Sequence, residues 1–75
     1  MGRHVKAGQL LRTLSSCYLW SARNDSSGYI LATAKAGELC LVLENLTFYG
    51  HEMVSVMLDG QTGFVYAKVL GERET

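Results

Sequence analysis

Hydrophobic and polar positions alternate most clearly over residues 53–66, which read MVSVMLDGQTGFVY. Val54, Val56 and Leu58 recur at every second position, the spacing that places side chains on one face of a β-strand. Asp59-Gly60 follows at once, and this dipeptide favours a tight hairpin turn because both residues tolerate a positive φ. The pattern predicts two antiparallel strands, the second of which contains residues 64–66.

Other short apolar segments are separated by polar, glycine-containing stretches. Residues 29–34 and 38–44 have the composition of strands, whereas the polar segments 22–28 and 44–52 are typical of turns and loops. Strands of this length, about ten residues apart, are typical of a small β-barrel or sandwich.

Residues 9–20 fit two patterns. Leu10, Leu11, Leu14 and the Cys17-Tyr18 pair would share one face of a helix. The segment 18–20 (Tyr-Leu-Trp) favours a strand, and two serines at 15–16 interrupt the apolar pattern. We favour two short strands joined at the serines, with a helix as the alternative.

Two segments nearly repeat each other: KAGQLLRTL at 6–14 and KAGELCLVL at 35–43. In each, a glycine precedes a polar residue and then a row of mainly apolar residues. Glycine permits the sharp backbone turn with which a chain enters a barrel strand. We interpret the repeat as the same local structure, a glycine turn that leads into a strand, used twice. This requires no duplication of the whole chain.

Length and charge limit the classes of function. The chain has 75 residues, 48% of them hydrophobic, and a formal net charge of +0. We expect one domain, 1–75, with frayed ends at 1–8 and 71–75. Charge balance argues against a nucleic-acid partner and against a polybasic membrane contact. No apolar run reaches membrane-spanning length and the start lacks an export signal, so we expect a cytoplasmic protein.

Few residues offer catalytic or metal-binding chemistry. His4, His51, Cys17 and Cys40 are the candidates, and no CxxC, HExxH or paired-histidine spacing is present. We therefore expect no enzyme activity, no catalytic residue, no metal and no cofactor. The two cysteines are expected to be reduced in the cytosol, although a disulfide between them would fit an exported protein.

From Leu19 onward, the order of segments resembles the bacterial SH3 (SH3b) family. The matching segments are LWSAR (19–23), the polar loop NDSSG (24–28), AKAGEL (34–39), CLVLENLTFYG (40–50), MVSVMLDGQTGFV (53–65) and YAKVL (66–70). The resemblance implies an all-β, SH3-like barrel of five to six short antiparallel strands. Two tryptophans of the family pattern are replaced by Met53 and Phe64, and the loop has no proline, so recognition of proline-rich peptides is not implied.

The resemblance also implies where a ligand would bind. Aromatic residues carry much of the binding energy at protein surfaces, and here they lie beside the predicted loops. The predicted cleft residues are Trp20, Arg23, Asp25, Tyr29, Tyr49, Met53 and Tyr66.

The strand LCLVLE raises a second possibility for an interface. In the SH3-like arrangement Cys40 and Val42 point inward, so Leu39, Leu41 and Leu43 point outward. A strand buried on one face should alternate, and this one does not. Either the N-terminal segment covers these leucines, or they form an interface that includes Leu39, Leu41 and Phe48.

These features predict a stand-alone protein-interaction module of the adaptor or inhibitor type, whose small size would suit a phage or another mobile element. Its partner would be another protein, and a homo-oligomer is a further expectation. One alternative is binding of a cell-wall or peptide ligand, as in SH3b modules. Another is a small oligomeric SH3-barrel enzyme.

Overall fold

The structure, a computed structural model, describes residues 3–23, 28–48 and 52–72. Within them the fold is all-β, with one short 3-10 helix at Ala67–Val69. The strands are β1 (Arg3–Val5), β2 (Leu10–Thr13), β3 (Cys17–Trp20), β4 (Ile30–Ala34), β5 (Leu39–Val42), β6 (Leu46–Phe48), β7 (Met53–Leu58), β8 (Gln61–Tyr66) and β9 (Leu70–Glu72). The predicted all-β class is confirmed. The structure has nine strands in the described residues rather than five or six. The difference arises because several of them are only three or four residues long.

Seven of these strands form one antiparallel sheet in the order β4-β3-β8-β7-β5-β2-β9. β1 and β6 form a separate two-stranded sheet. The arrangement is consistent with a small SH3-like barrel, although β4 and β9 do not pair with each other and the sheet is not closed. The longest ladder joins β7 to β8, with register from Met53↔Tyr66 to Leu58↔Gln61.

The predicted hairpin at Asp59-Gly60 is confirmed. Asp59 has a φ of 52° and Gly60 a φ of 79°. Two consecutive positive φ values define the type I′ turn, whose twist matches that of the strands it joins.

Residues 9–20 form two strands, as favoured above, and the helix alternative is wrong. β2 and β3 are separated by a bend at Leu14 and Ser15. Leu11 and Leu19 are completely buried. A helix over these residues would leave β5 unpaired on the side where β2 lies, because β2 pairs with β5 through Leu11↔Cys40.

The core lies on the inner face of the sheet. The strand face predicted from alternation is buried, with Val54 and Val56 at 0% exposure and Leu58 at 4%. The other buried hydrophobic residues are Val5, Leu11, Leu19, Ala34, Cys40, Val42, Met53, Val65, Ala67 and Leu70. Thr13 is the buried polar residue of the described chain, and its hydroxyl donates to the Lys35 carbonyl at 2.6 Å.

The repeated segments adopt the same conformation. Gly8 and Gly37 have φ values of 91° and 90°. In each turn the residue after the glycine accepts a hydrogen bond through its side chain from the backbone N–H of the lysine three positions earlier. The distances are 3.2 Å at Gln9 and 2.6 Å at Glu38.

The two turns also dock in the same way. Gly8 N–H donates to the Val42 carbonyl at 2.8 Å, and Gly37 N–H donates to the Thr13 carbonyl at 2.7 Å. Val42 and Thr13 donate in return to the carbonyl of the residue after each glycine, at 2.8 and 2.9 Å. The paired strands β2 and β5 are thus related by a local pseudo-two-fold, each ending against the turn that begins the other.

Parts of the chain ends, which were expected to fray at 1–8 and 71–75, lie in the strands β1 and β9. Val5 on β1 is 2% exposed, and Gly71 on β9 pairs with Arg12. The hydrophobic contacts of Val5 and the ladder of β9 hold these residues in place. Residues 1–2 and 73–75 lie outside the described chain.

Candidate protein-binding site

Several predicted cleft residues meet on the outer face of β3, β8 and β7. Trp20 stands opposite Phe64, and Phe64 stands opposite Ser55. Two residues along the ladder, Met53 stands opposite Tyr66. Because register partners project to the same side of a sheet, these side chains share one surface.

Arg23 ties this surface to the segment that follows β5. Its Nη1 donates to the Met53 carbonyl at 2.7 Å, and its Nη2 forms an ion pair with Glu44 Oε1. The guanidinium also lies 5.0 Å from the centre of the Phe64 ring, within cation–π range. We call the pair Arg23 and Glu44 the clasp, because it joins the residues that follow β3 to the residues between β5 and β6.

Glu44 has a second partner. Its Oε1 accepts the backbone N–H of Ser55 at 3.1 Å. The hydrogen bond from Arg23 and that from Ser55 favour the ionised carboxylate and lower the pKa of Glu44 below 4.5, although partial burial opposes them. The clasp is therefore charged at neutral pH.

Replacing Glu44 by glutamine should weaken the dependence of the free energy of unfolding on pH in the acid range. A carboxylate whose pKa is depressed by folding contributes stability that is present above its unfolded pKa, near 4.5, and lost as the pH falls through the lower folded pKa. Both side chains are partly exposed, at 45% and 33%, so we expect a loss of no more than about 1 kcal/mol at neutral pH. Urea unfolding at a series of pH values measures this effect.

Arg23→Gln provides the control for that prediction. It should remove the part of the acid dependence that comes from Arg23, while the Ser55 N–H still donates to Glu44. The double variant should lose less than the sum of the two single variants, because both single variants break the same ion pair. Additive losses would mean that Arg23 and Glu44 act on stability separately.

Some predicted cleft residues are placed differently. Met53 is only 5% exposed, so its side chain offers little surface to a ligand, and it meets Arg23 through its carbonyl. Tyr29 is 65% exposed, and its backbone is joined to Ser21 by two hydrogen bonds rather than to the clasp. Asp25 and Tyr49 lie outside the described residues.

Four aromatic residues, of which Tyr18 is exposed and the others half-buried, are here called the aromatic face: Tyr18, Trp20, Phe64 and Tyr66. The Tyr18 and Trp20 rings meet edge to face with their centres 6.0 Å apart. Lys68 Nζ lies 5.8 Å from the centre of the Tyr66 ring. Tyr18 is the most exposed member, at 49%.

A second apolar surface lies on β2, β5 and β7. Cys40 and Val42 are completely buried, so the predicted inward positions of β5 are confirmed. Leu10, Leu41 and Met57 stand in register across the three strands. Leu39 and Leu43 flank Leu41 on the same side of β5. We call this surface the leucine face: Leu10, Leu39, Leu41, Leu43 and Met57.

The N-terminal segment does not cover the leucine face, so that alternative is wrong. β2 lies beside β5 in the sheet, with Leu10 opposite Leu41 and Leu11 buried in the core. Leu14 points elsewhere and is 62% exposed. Phe48 pairs with Arg3 on β1 through its backbone, which places it on the separate small sheet and not on β5.

Glu44, Ser55 and Phe64 belong to the site but were not predicted there. Phe64 occupies a tryptophan position of the family pattern, which was a usable signal. Glu44 contacts Arg23, which lies 21 residues earlier in the chain, and Ser55, which lies 11 residues later. No local pattern encodes such contacts.

Both cysteines are free thiols. Burial raises the pKa of Cys40 to about 11, with smaller contributions from Cys17 and Glu38. Burial and then Glu38 also raise the pKa of Cys17. The thiolate is the reactive form of cysteine, so neither side chain is activated as a nucleophile at neutral pH.

Within the described ranges, no three His, Cys, Asp or Glu side chains come close enough to hold a metal ion. The same part of the chain contains no helix with the length and hydropathy needed to cross a membrane.

No family model, curated protein or solved structure matches this sequence. The fold class that the structure shows is a small all-β domain, consistent with an SH3-like barrel.

Proposed function

We propose that this protein is a protein-interaction module of the adaptor or inhibitor type, which binds a partner protein through the leucine face. The observation that carries the proposal is the register Leu10↔Leu41↔Met57, which aligns apolar side chains across three neighbouring strands. Leu39, Leu43 and Met57 remain 39%, 37% and 36% exposed.

The physical argument is the cost of leaving such a surface in water. An antiparallel sheet with one solvated face normally places polar residues there. Contiguous apolar surface on the outside of a sheet marks sites of protein association. Burial of these side chains against an apolar partner would contribute about 25 cal/mol per Å2 of apolar surface removed from water.

Arg12 limits the kind of partner. It stands beside Leu39 in the ladder, and its Nη1 donates to the Gly37 carbonyl at 2.7 Å. The guanidinium thus places a fixed positive charge at the rim of the leucine face. A partner surface with an apolar centre and a carboxylate at the matching rim would fit it best.

The chemistry of the thiols supports a non-catalytic role in a reducing compartment. Neither Cys17 nor Cys40 is paired, which suits the cytoplasm. Their raised pKa values leave them protonated at neutral pH, and a nucleophilic cysteine needs the opposite shift.

A second candidate function uses the aromatic face. An exposed tyrosine, Tyr18, beside a half-buried tryptophan suits a peptide ligand, as in cell-wall-binding SH3b modules. Tyr18 and Trp20 already touch edge to face, so their side chains lose little freedom on binding. Recovery with purified cell-wall sacculi would favour this candidate.

Leu41→Asp tests the leading proposal. A charge at the centre of the leucine face should abolish capture of the partner protein while leaving the fold intact. The measurement is an affinity pull-down from a lysate of the source cell, with proteins identified by mass spectrometry. We expect at least a tenfold loss of the captured partner, since an unpaired charge buried at an interface costs several kcal/mol.

Thr62→Asp is the matched control, because Thr62 extends the same row beyond Met57 and is itself exposed and polar. It should retain the partner. Equal capture by wild type and Leu41→Asp would refute the proposal. If Leu41→Asp unfolds, the milder Leu39→Asp and Leu43→Asp variants test the same face at its exposed edges.

A further inference from the structure

β4 forms one free edge of the seven-stranded sheet. It pairs with β3 on one side, and no strand of the described chain lies on the other. In an antiparallel ladder, alternate residues direct their N–H and C=O groups away from the partner strand. β4 therefore presents backbone donors and acceptors that another extended strand would satisfy.

The side chains of β4 do little to protect this edge. The strand reads ILATA and contains neither a charge nor a proline, the residues that commonly block edge pairing. Its one protective feature is a bulge at Leu31, where the register passes from Leu19↔Ala32 to Trp20↔Ile30. The opposite edge, β9, has three residues and includes a glutamate.

The two ends of β4 have complementary shapes. At its beginning, Ile30 is 46% exposed and lies opposite Trp20, on the same face of the sheet as that residue. At its end lies an open pocket of about 320 Å3. The pocket is lined by Ser16, Cys17, Tyr18, Thr33, Ala34 and Lys35. One end of the edge thus carries an exposed apolar side chain, and the other end carries a depression of a size to receive it.

We propose that two copies of this chain associate by antiparallel pairing of their β4 edges. A two-fold axis through the middle of β4 would place the Ile30 side chain of each copy at the pocket beside Ala34 of the other. The two Lys35 side chains would lie at opposite ends of the interface, each near Tyr29 of the other copy. Like charges are kept apart, and each lysine gains an aromatic neighbour.

This interface is separate from the leucine face. β3, β8 and β7 lie between β4 and β5 in the sheet order. A dimer formed through β4 would leave both leucine faces open and would bind partner protein with two equivalent surfaces. The dimer and the proposed partner binding can therefore fail independently.

Sedimentation velocity over a series of protein concentrations tests the dimer with wild type, Ile30→Lys and Met57→Lys. We expect a concentration-dependent dimer for wild type and an unchanged dimer for Met57→Lys. Ile30→Lys should raise the dissociation constant by about tenfold or more, because the change occurs twice and places each new lysine near Lys35 of the other copy. Circular dichroism of both variants controls for folding.

Hydrogen exchange supplies an independent measurement. Amides of residues 30–34 should become better protected at high protein concentration, and amides of β9 should not change. A wild-type protein that stays monomeric at every concentration would overturn the proposal. So would a dimer that survives Ile30→Lys and dissociates in Met57→Lys, because the leucine face would then be the self-interface.

Discussion

Replacing Leu11 by alanine should destabilise the protein by about 2–5 kcal/mol. Leu11 is completely buried at the centre of β2, between its partners Cys40 on β5 and Glu72 on β9. Alanine removes buried apolar surface and leaves a cavity that neighbouring strands cannot fill without losing their register. Urea unfolding, followed by tryptophan fluorescence from Trp20, measures the change.

The effect is large relative to the stability of the whole fold. A typical domain has about 0.05–0.15 kcal/mol per residue, or roughly 4–11 kcal/mol for a chain of 75 residues. Leu14→Ala is the matched control, since Leu14 lies three residues away and is 62% exposed. We expect it to change stability by less than about 1 kcal/mol. Equal losses in both variants would mean that β2 does not form as described.

Gly63→Ala should destabilise the protein by about 1–3 kcal/mol through overpacking. Gly63 lies on β8 where β3 approaches closely. A Cβ at this position would be 2.7 Å from Leu19 Cγ and 2.8 Å from the Trp20 carbonyl oxygen. The leucine is completely buried and the oxygen belongs to the backbone, so neither can move unless β3 shifts away from β8. Thermal unfolding and urea unfolding should both show the loss.

Gly71→Ala provides the comparison. The three atoms nearest to a Cβ there all belong to the side chain of Leu14, which is largely exposed and can rotate into solvent. We expect a change of less than about 1 kcal/mol. A Gly63→Ala protein as stable as Gly71→Ala would show that β3 and β8 can separate freely. The contact between Trp20 and Phe64 would then not be fixed.

That contact matters for the candidate site. Trp20 and Phe64 support the surface over which Arg23 lies, and Arg23 in turn holds Glu44 and the Met53 carbonyl. Loosening β3 should therefore disturb the aromatic face and the clasp together. The leucine face, three strands away on β5, depends instead on the β2–β5 pair and on the two repeated turns.

Local sequence patterns predicted the parts of the fold that local physics determines. The alternation in 53–66 and the Asp59-Gly60 turn are confirmed, because a two-residue hairpin is specified by positive φ and a period of two. The strand assignment of 17–20 follows from its bulky residues. The two KAG segments share a backbone conformation, since each supplies the same glycine and an acceptor at the same spacing.

Other features depended on distant residues. β6 was predicted as part of a turn because a strand of three residues has no detectable period, and its partner β1 lies more than forty residues away. The burial of Met53 also followed from tertiary packing, although its position in the alternating pattern matched that of exposed Met57.

By itself, the sequence determined that the chain forms an all-β fold, where its central hairpin turns, and which face of β7 points to the core. These properties depend on neighbouring residues, whose preferences act over a few positions. The tertiary structure decided that β2 lies beside the leucines of β5 rather than over them, that Arg23 reaches Glu44, and that β4 is left as an edge. Those outcomes depend on how strands distant in sequence pack into one sheet, a choice that no local preference can encode.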